Sequence, residues 1–271
     1  MRYFLIILIF FIAIQLNADA KYADQIKELK EKLREKQIPE AWINKNFSDN
    51  KFKIYDNIDK YFKRMPETRV AKKEKNFEWY KKYFAVEKRT ETGKTFLKKY
   101  KNAFDKIEKR FGVDRELITA VMAIESNYAD EKQRGNFYTF NTLVSQYVLV
   151  PRRKNFALNE IIALYKFAKK TDEDTFHFIG SFAGACGWAQ FIPSSLLHYF
   201  TDIDNIDKNT DIFSVKDCLA GVASYLNAHG LKKNTMENRD KIEDAVYAYN
   251  HSKHYVKAVM IIYDGLKNKG D

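Results

Sequence analysis

Turn-forming residues are scarce in this chain. Its 271 residues hold four prolines and ten glycines, too few for a sandwich of many short strands joined by tight turns. Two cysteines, Cys186 and Cys218, exclude a disulfide-dense scaffold. They also leave no CxxC or Cys/His set for a structural metal. In an oxidising compartment the pair permits one bridge closing a loop of about 30 residues, a contribution of about 3–4 kcal/mol. Spacing alone leaves bridged and free thiols equally open. Apolar runs are short beyond Phe4–Leu16, and that run falls below the roughly 20 residues of a comfortable membrane span. No repeat, low-complexity tract or linker breaks the remainder.

The beginning of the chain reads as an export signal. Arg2 gives a positive start, Phe4–Leu16 an apolar centre, and Ala18-Asp19-Ala20 a small-x-small cleavage pattern. Residues 1–20 are therefore assigned to a signal peptide, with an uncleaved anchor as the alternative. With no cysteine beside the cleavage point, no lipid anchor is expected, and the protein is placed in the periplasm. Removing the leader leaves the net charge of +11 unchanged, because Arg2 and Asp19 cancel. A basic exported protein is suited to an anionic polymer such as a cell wall. Nucleic acid is not expected as a partner, since the basic residues are dispersed and form no known motif.

What is abundant is helical periodicity. Lys21–Lys36 places Ile26, Leu29 and Leu33 on one side, and Asn155–Lys170 does the same with Phe156, Ile161, Leu164 and Phe167. Helices are also predicted near 38–47, 77–84, 93–111, 194–200, 215–229, 241–249 and 255–267. Asn50–Glu74 reads as an irregular packing arm and Ser126–Asn141 as a loop. Gly112 ends one helix, and Asp114 is placed to cap the next. The prediction is a mainly α protein with little or no β-sheet.

The helix after Asp114 carries an anomaly. Leu117, Ile118, Val121, Met122 and Ile124 make an apolar face, and Glu125 falls on it, four residues after Val121 and seven after Ile118. Either the side chain turns to solvent or to a lysine, or it is buried and its pKa rises. A carboxylic acid that keeps its proton near neutral pH is what cleavage of a glycosidic bond requires.

Four segments stand out together: Ala123–Tyr128 with Glu125-Ser126, Pro151-Arg152-Arg153, Gly180–Ser195, and Tyr247–Ser252 with Tyr249-Asn250. With them the chain resembles the lytic transglycosylases of the membrane-bound transglycosylase B family, of glycoside hydrolase family 103 type, in the lysozyme-like superfamily. Gly180–Ser195 carries most of the likeness, which runs from about Lys36 to the C-terminus. The resemblance implies a lysozyme-like catalytic domain over 93–271, with 21–92 as a helical N-terminal arm packing on it. It implies Glu125 as the catalytic acid, Ser181, Gln190, Tyr225, Tyr249 and Asn250 as substrate-binding residues of the cleft, and Arg152 and Arg153 as contacts to peptidoglycan. Read without it, Ser181 and Gln190 could merely close a turn, and Tyr225, Trp188 and Phe191 are equally suited to the core. The two arginines could be surface charge, and His251 and His254 local hydrogen-bonders.

An ordinary glycosidase pairs its acid with a second carboxylate. None is evident here: Glu160, Asp172 and Asp217 read as solvated. A single acid suffices when the substrate's own hydroxyl attacks, as the 6-hydroxyl of N-acetylmuramic acid can. The resemblance thus implies an enzyme that leaves 1,6-anhydro ends on peptidoglycan, a monomer acting on glycan strands, with wall-synthesis proteins as candidate partners. A hydrolytic muramidase and a non-catalytic wall-binding protein are the alternatives. One member of that family carries an EF-hand-like metal loop after the Pro-Ser-Ser helix. Here Asp202, Asp204, Asp207, Asn209 and Asp211 occupy that region without the required glycine. It is read as a solvated acidic loop, and no metal or other cofactor is expected.

Overall fold

Ile26, Leu29 and Leu33 recur at helical spacing, and all three are buried on the first helix, α1 (Ala23–Glu35). The computed structural model describes residues 21–62, 77–83, 85–203 and 210–268. The expected signal peptide lies outside the described residues, as do Asp204, Asp207 and Asn209 of the acidic loop. After α1 come α2 (Glu40–Phe47), α3 (Phe77–Tyr83), α4 (Val86–Lys99), α5 (Lys101–Phe111) and α6 (Arg115–Ser126). Then follow β1 (Phe137–Tyr138), α7 (Thr139–Leu149), α8 (Lys154–Thr171), β2 (Ile179–Gly180), α9 (Pro193–Tyr199), α10 (Val215–Ala228), α11 (Arg239–Tyr249) and α12 (Lys253–Lys267). Among the described residues the one sheet is the antiparallel pair β1–β2, with Phe137 opposite Gly180 and Tyr138 opposite Ile179. The protein is mainly α, as its periodicities indicate. No described helix is long and apolar enough to cross a membrane.

Helix α6 lies at the centre. Leu117, Ile118, Val121 and Met122 are fully buried on it, each contributing about 1.5–3 kcal/mol by leaving water. Helices α4, α5, α10 and α12 pack around α6, while α7 and α8 pack on each other and on α1. The site is therefore carried by an element whose rotation and height are fixed from several sides.

Several details depart from the sequence reading. The expected break near residue 92 falls inside α4, which runs unbroken through Gly93. That glycine is where α4 meets its neighbours: a Cβ there would lie 2.6 Å from the Tyr128 hydroxyl and 2.9 Å from Leu266. The break comes instead at Tyr100, between α4 and α5. The loop expected over 126–141 contains a 3-10 turn at Glu131–Gln133 and strand β1. Asp114 sits at the N-cap of α6 without capping it. Its carboxylate accepts from the Tyr263 hydroxyl and from Lys267 Nζ, each at 2.7 Å, and Glu108 accepts from the Arg115 N–H at 2.9 Å instead. Glu160 and Asp217 are buried, while Asp172 is exposed as expected. Both cysteines are free and buried.

Candidate functional site

Glu125 occupies the last turn of α6, one residue before its end. The chain then turns through three consecutive left-handed residues, Asn127, Tyr128 and Ala129, at φ 48°, 66° and 65°. Asn127 stands where glycine usually ends a helix, and its N–H bonds back to the Ala123 carbonyl at 3.2 Å. Such backbone costs energy at each non-glycine residue and is concentrated at functional sites. The turn carries Tyr128 back onto α4, where its hydroxyl donates to the Arg89 carbonyl.

The Glu125 side chain is inward-facing and only partly open to solvent. Its Oε1 accepts from the Tyr255 hydroxyl at 2.6 Å, and Tyr255 is buried at the start of α12. Loss of hydration pushes the Glu125 carboxyl up to about 7, against smaller opposing pulls from the Tyr255 hydroxyl and the Arg89 charge. Near neutral pH the group is thus divided between acid and carboxylate, the state suited to giving a proton and taking one back.

The glycine-bearing segment after β2 supplies Gln190, Phe191 and Ile192 to the lining of a cleft. Gly180 bridges to Cys186, and Cys186 to Phe191, so the chain folds tightly on itself. A Cβ at Gly180 would overlap the Ala185 carbonyl. Gly184 and Gly187 take positive φ, and so does Gln190 at 50°. The Ser181 N–H donates to the Ala185 carbonyl at 2.8 Å, and Gln190 Nε2 to that of Gly187 at 2.8 Å. Trp188 and Phe191 are core residues; the Trp188 indole donates to the Phe213 carbonyl at 2.8 Å.

Three of the expected residues converge. Gln190, Tyr225 and Tyr249 line one cleft of about 230 Å³, together with Ser195 and His251. Tyr249 donates to the Ala189 carbonyl at 2.6 Å, and Tyr225 to the Ala248 carbonyl at 2.8 Å. These two bonds tie the end of α11 to the glycine-bearing segment and to α10. Burial and the nearby Glu125 charge hold the Tyr249 phenol well above its ordinary value. Asn250 follows at the exposed C-cap of α11.

The arginine pair lies apart from that cleft, on the 3-10 turn Pro151–Arg153, and both side chains are engaged within the protein. Arg152 Nη2 donates to the Phe62 carbonyl at 2.6 Å. Arg153 Nε donates to Gln146 Oε1 at 2.7 Å, and its guanidinium stacks 4.0 Å from the Phe156 ring. Gln146 in turn donates to the Phe182 carbonyl at 3.0 Å, beside Ser181. Glu160 is spoken for as well: buried, with its pKa raised by desolvation, it accepts from the Ser194 N–H at 2.8 Å at the start of α9. Asp217 accepts from the Asp211 N–H at 3.1 Å. Among the described residues no three His, Cys, Asp or Glu side chains group to hold a metal.

A family model described as the transglycosylase SLT domain matches residues 21–240. The chain belongs to this family. A curated relative, the membrane-bound lytic murein transglycosylase B of Escherichia coli K12, is 28% identical over 154 residues, covering 57% of this chain and 42% of that protein. The chain thus spans less than half the length of that relative. The fold is that of solved lytic transglycosylases. The Escherichia coli Slt35 complex with bulgecin A superposes at a TM-score of 0.76 with 19% identity, over 89% of this chain and 92% of the other. SltB3 from Pseudomonas aeruginosa, in complex with NAG-anhNAM-pentapeptide, gives 0.79 with 19% identity, over 91% and 80%.

Sequence reasoning missed two side chains that act on Glu125, Tyr255 and Arg89. Tyr255 falls on the buried face of α12, and a phenol there needs a polar partner; that signal was present. Arg89 sits in a run of charged residues and offered none.

Proposed function

We propose that the protein is a peptidoglycan lytic transglycosylase that cleaves the β-1,4 bond from N-acetylmuramic acid to N-acetylglucosamine without consuming water. Glu125, neutral, protonates the glycosidic oxygen. The bond from that oxygen to C1 of the muramoyl residue breaks, and N-acetylglucosamine leaves with the proton. The muramoyl 6-hydroxyl attacks C1, and Glu125, now a carboxylate, takes the hydroxyl proton. The product carries a 1,6-anhydro ring, and the enzyme returns to its starting protonation state. Intramolecular attack draws on the high effective concentration of a well-placed group.

The observation that carries this reading is the Glu125 carboxyl, pushed up to about 7 by burial, its charge acting on Tyr249, which lines a cleft with Gln190 and Tyr225. Of the buried carboxylates, Glu160 and Asp217 are committed to backbone N–H groups; in this proposal Glu125 serves as both acid and base. In this proposal Ser181, Gln190, Tyr249 and Asn250 contact the sugars on either side of the bond. Tyr225 shapes the cleft through its bond to Ala248, and Arg152 and Arg153 present remaining N–H groups to the stem peptide. The substrate is murein in the periplasm.

The test is clearance of purified sacculi. Glu125→Gln preserves shape and removes the proton donor, and turbidity loss should slow by at least about 10²-fold. Equal clearance by wild type and variant would remove Glu125 from the chemistry.

A further inference from the structure

Arg89 lies on the first turn of α4, and its Nη1 is buried with no hydrogen-bond partner among the described residues. A buried guanidinium nitrogen left unpaired is costly and asks for a reason. Its backbone is pinned from the far side of the site: Tyr128, three residues after Glu125, donates to the Arg89 carbonyl. The hydroxyl reaches that carbonyl over Gly93, one turn further along α4, where any Cβ would obstruct it. The turn behind Glu125 is thus locked to the residue bearing the orphaned group.

We propose that Arg89 is a positioning residue for Glu125, supplying the positive charge that balances the carboxylate between its two proton transfers. The inference rests on the single-acid reading above, since only a group that cycles through the anion needs such a counter-charge.

Among the described residues, the titratable groups that act on or pack near Glu125 are few. From α4 comes Arg89, from α12 Tyr255, and from the end of α11 Tyr249. From α10 comes Tyr225, which acts on Tyr249 and Tyr255. From α5, Glu108 meets the opposite end of α6 at Arg115. Among the described residues, the charges and phenols that act on Arg89 are those of Tyr128, Glu125 and Tyr83. Arg89 is thus the one cation among these neighbours. Burial lowers its pKa from the ordinary value, yet an arginine stays charged across the pH range of proteins. Its pull on Glu125 favours the carboxylate. With Glu125 protonated, Arg89 has no anion to face among the described residues. With Glu125 ionised, it has one.

Direct titration decides the matter without relying on turnover. In protein labelled with ¹³C at glutamate carboxyls, the Glu125 signal is identified by its loss in Glu125→Gln and followed against pH. Arg89→Met should move its midpoint upward by about one pH unit, the effect of losing a neighbouring opposite charge. Arg89→Lys should leave the midpoint close to wild type. A midpoint unmoved or lowered in Arg89→Met overturns the proposal, and would show that the residue only braces α4. Should Arg89→Met fail to fold, the wild-type guanidinium ¹⁵N signals serve instead. They should shift with the Glu125 midpoint and lose that inflection in Glu125→Gln; signals flat through it overturn the proposal. If the enzyme releases no anhydro sugar while these titrations behave as described, the fault lies in the proposed function and not in the charge coupling.

Discussion

Tyr255 donates its hydroxyl to Glu125 at 2.6 Å, joining the start of α12 to the end of α6 across 130 positions of sequence. The bond stabilises the ionised carboxyl, in the direction opposite to burial. Tyr255→Phe therefore removes a donor from the base form and raises the Glu125 pKa above its present value. Hydrogen bonds to charged groups are worth about 1.5–3 kcal/mol. Sacculus clearance at pH 7 should fall by about tenfold or more, with the pH of half-maximal activity displaced upward. An unchanged pH profile would mean that the phenol only packs.

Glu125 also makes stability depend on pH. Its folded-state pKa of about 7 lies above the ordinary 4.5 of a glutamate, so the folded protein holds this proton more tightly than the unfolded chain. The contribution is fully present below about 4.5 and is lost as pH rises toward 7. Glu125→Gln lacks this dependence. Relative to wild type, the variant should gain about 2 kcal/mol of stability between pH 5 and pH 8. Urea denaturation at the two pH values measures it. A difference that does not grow with pH would indicate an ordinary, solvated glutamate.

The wall of the cleft depends on Gly180, where a Cβ would overlap the Ala185 carbonyl. The obstacle is backbone, so no side-chain rotation relieves it. Gly180→Ala should lower stability by about 3 kcal/mol or more and shift Ser181 and Gln190 out of place. A thermal melt and a clearance assay should both register the loss. A variant of wild-type stability and activity would refute the tight-turn description.

The two thiols should be silent. Cys186 and Cys218 are buried, each directing its Sγ at a carbonyl oxygen, of Phe191 at 3.5 Å and of Ile212 at 3.2 Å. Burial pushes the Cys186 thiol up to about 12 and raises that of Cys218 as well. The folded protein should react with neither thiol reagent equivalent at pH 8, and both should react after denaturation. Failure of the unfolded, unreduced protein to react would reveal a bridge.

Much of the site was legible because it breaks a pattern. Glu125 announced itself by occupying an apolar helix face, and the glycines of 180–187 by their density in a chain otherwise poor in them. Helix α7 was illegible for the opposite reason. Every residue from Thr139 to Tyr147 is buried, so it presents no polar face, and the helical period cannot be seen in apolar and small polar residues alike. The burial of Glu160 was hidden because its partner is a backbone N–H at Ser194, and sequence does not display backbone donors. Asp114 was read as a cap from its local position, whereas two residues of α12, about 150 positions away, hold its carboxylate. For Asp114 and Glu160 local rules placed the residue on the right element and missed its tertiary partner.

In the proposed reaction one glutamate acts twice while the substrate supplies its own nucleophile. The mass of the sugar released from purified sacculi tests this most directly. Muropeptides freed by the wild-type protein should be lighter than reducing-end products by one water, and digestion in ¹⁸O-labelled water should leave them unlabelled. Products with reducing ends that carry ¹⁸O at C1 would contradict the account and make the protein a hydrolase.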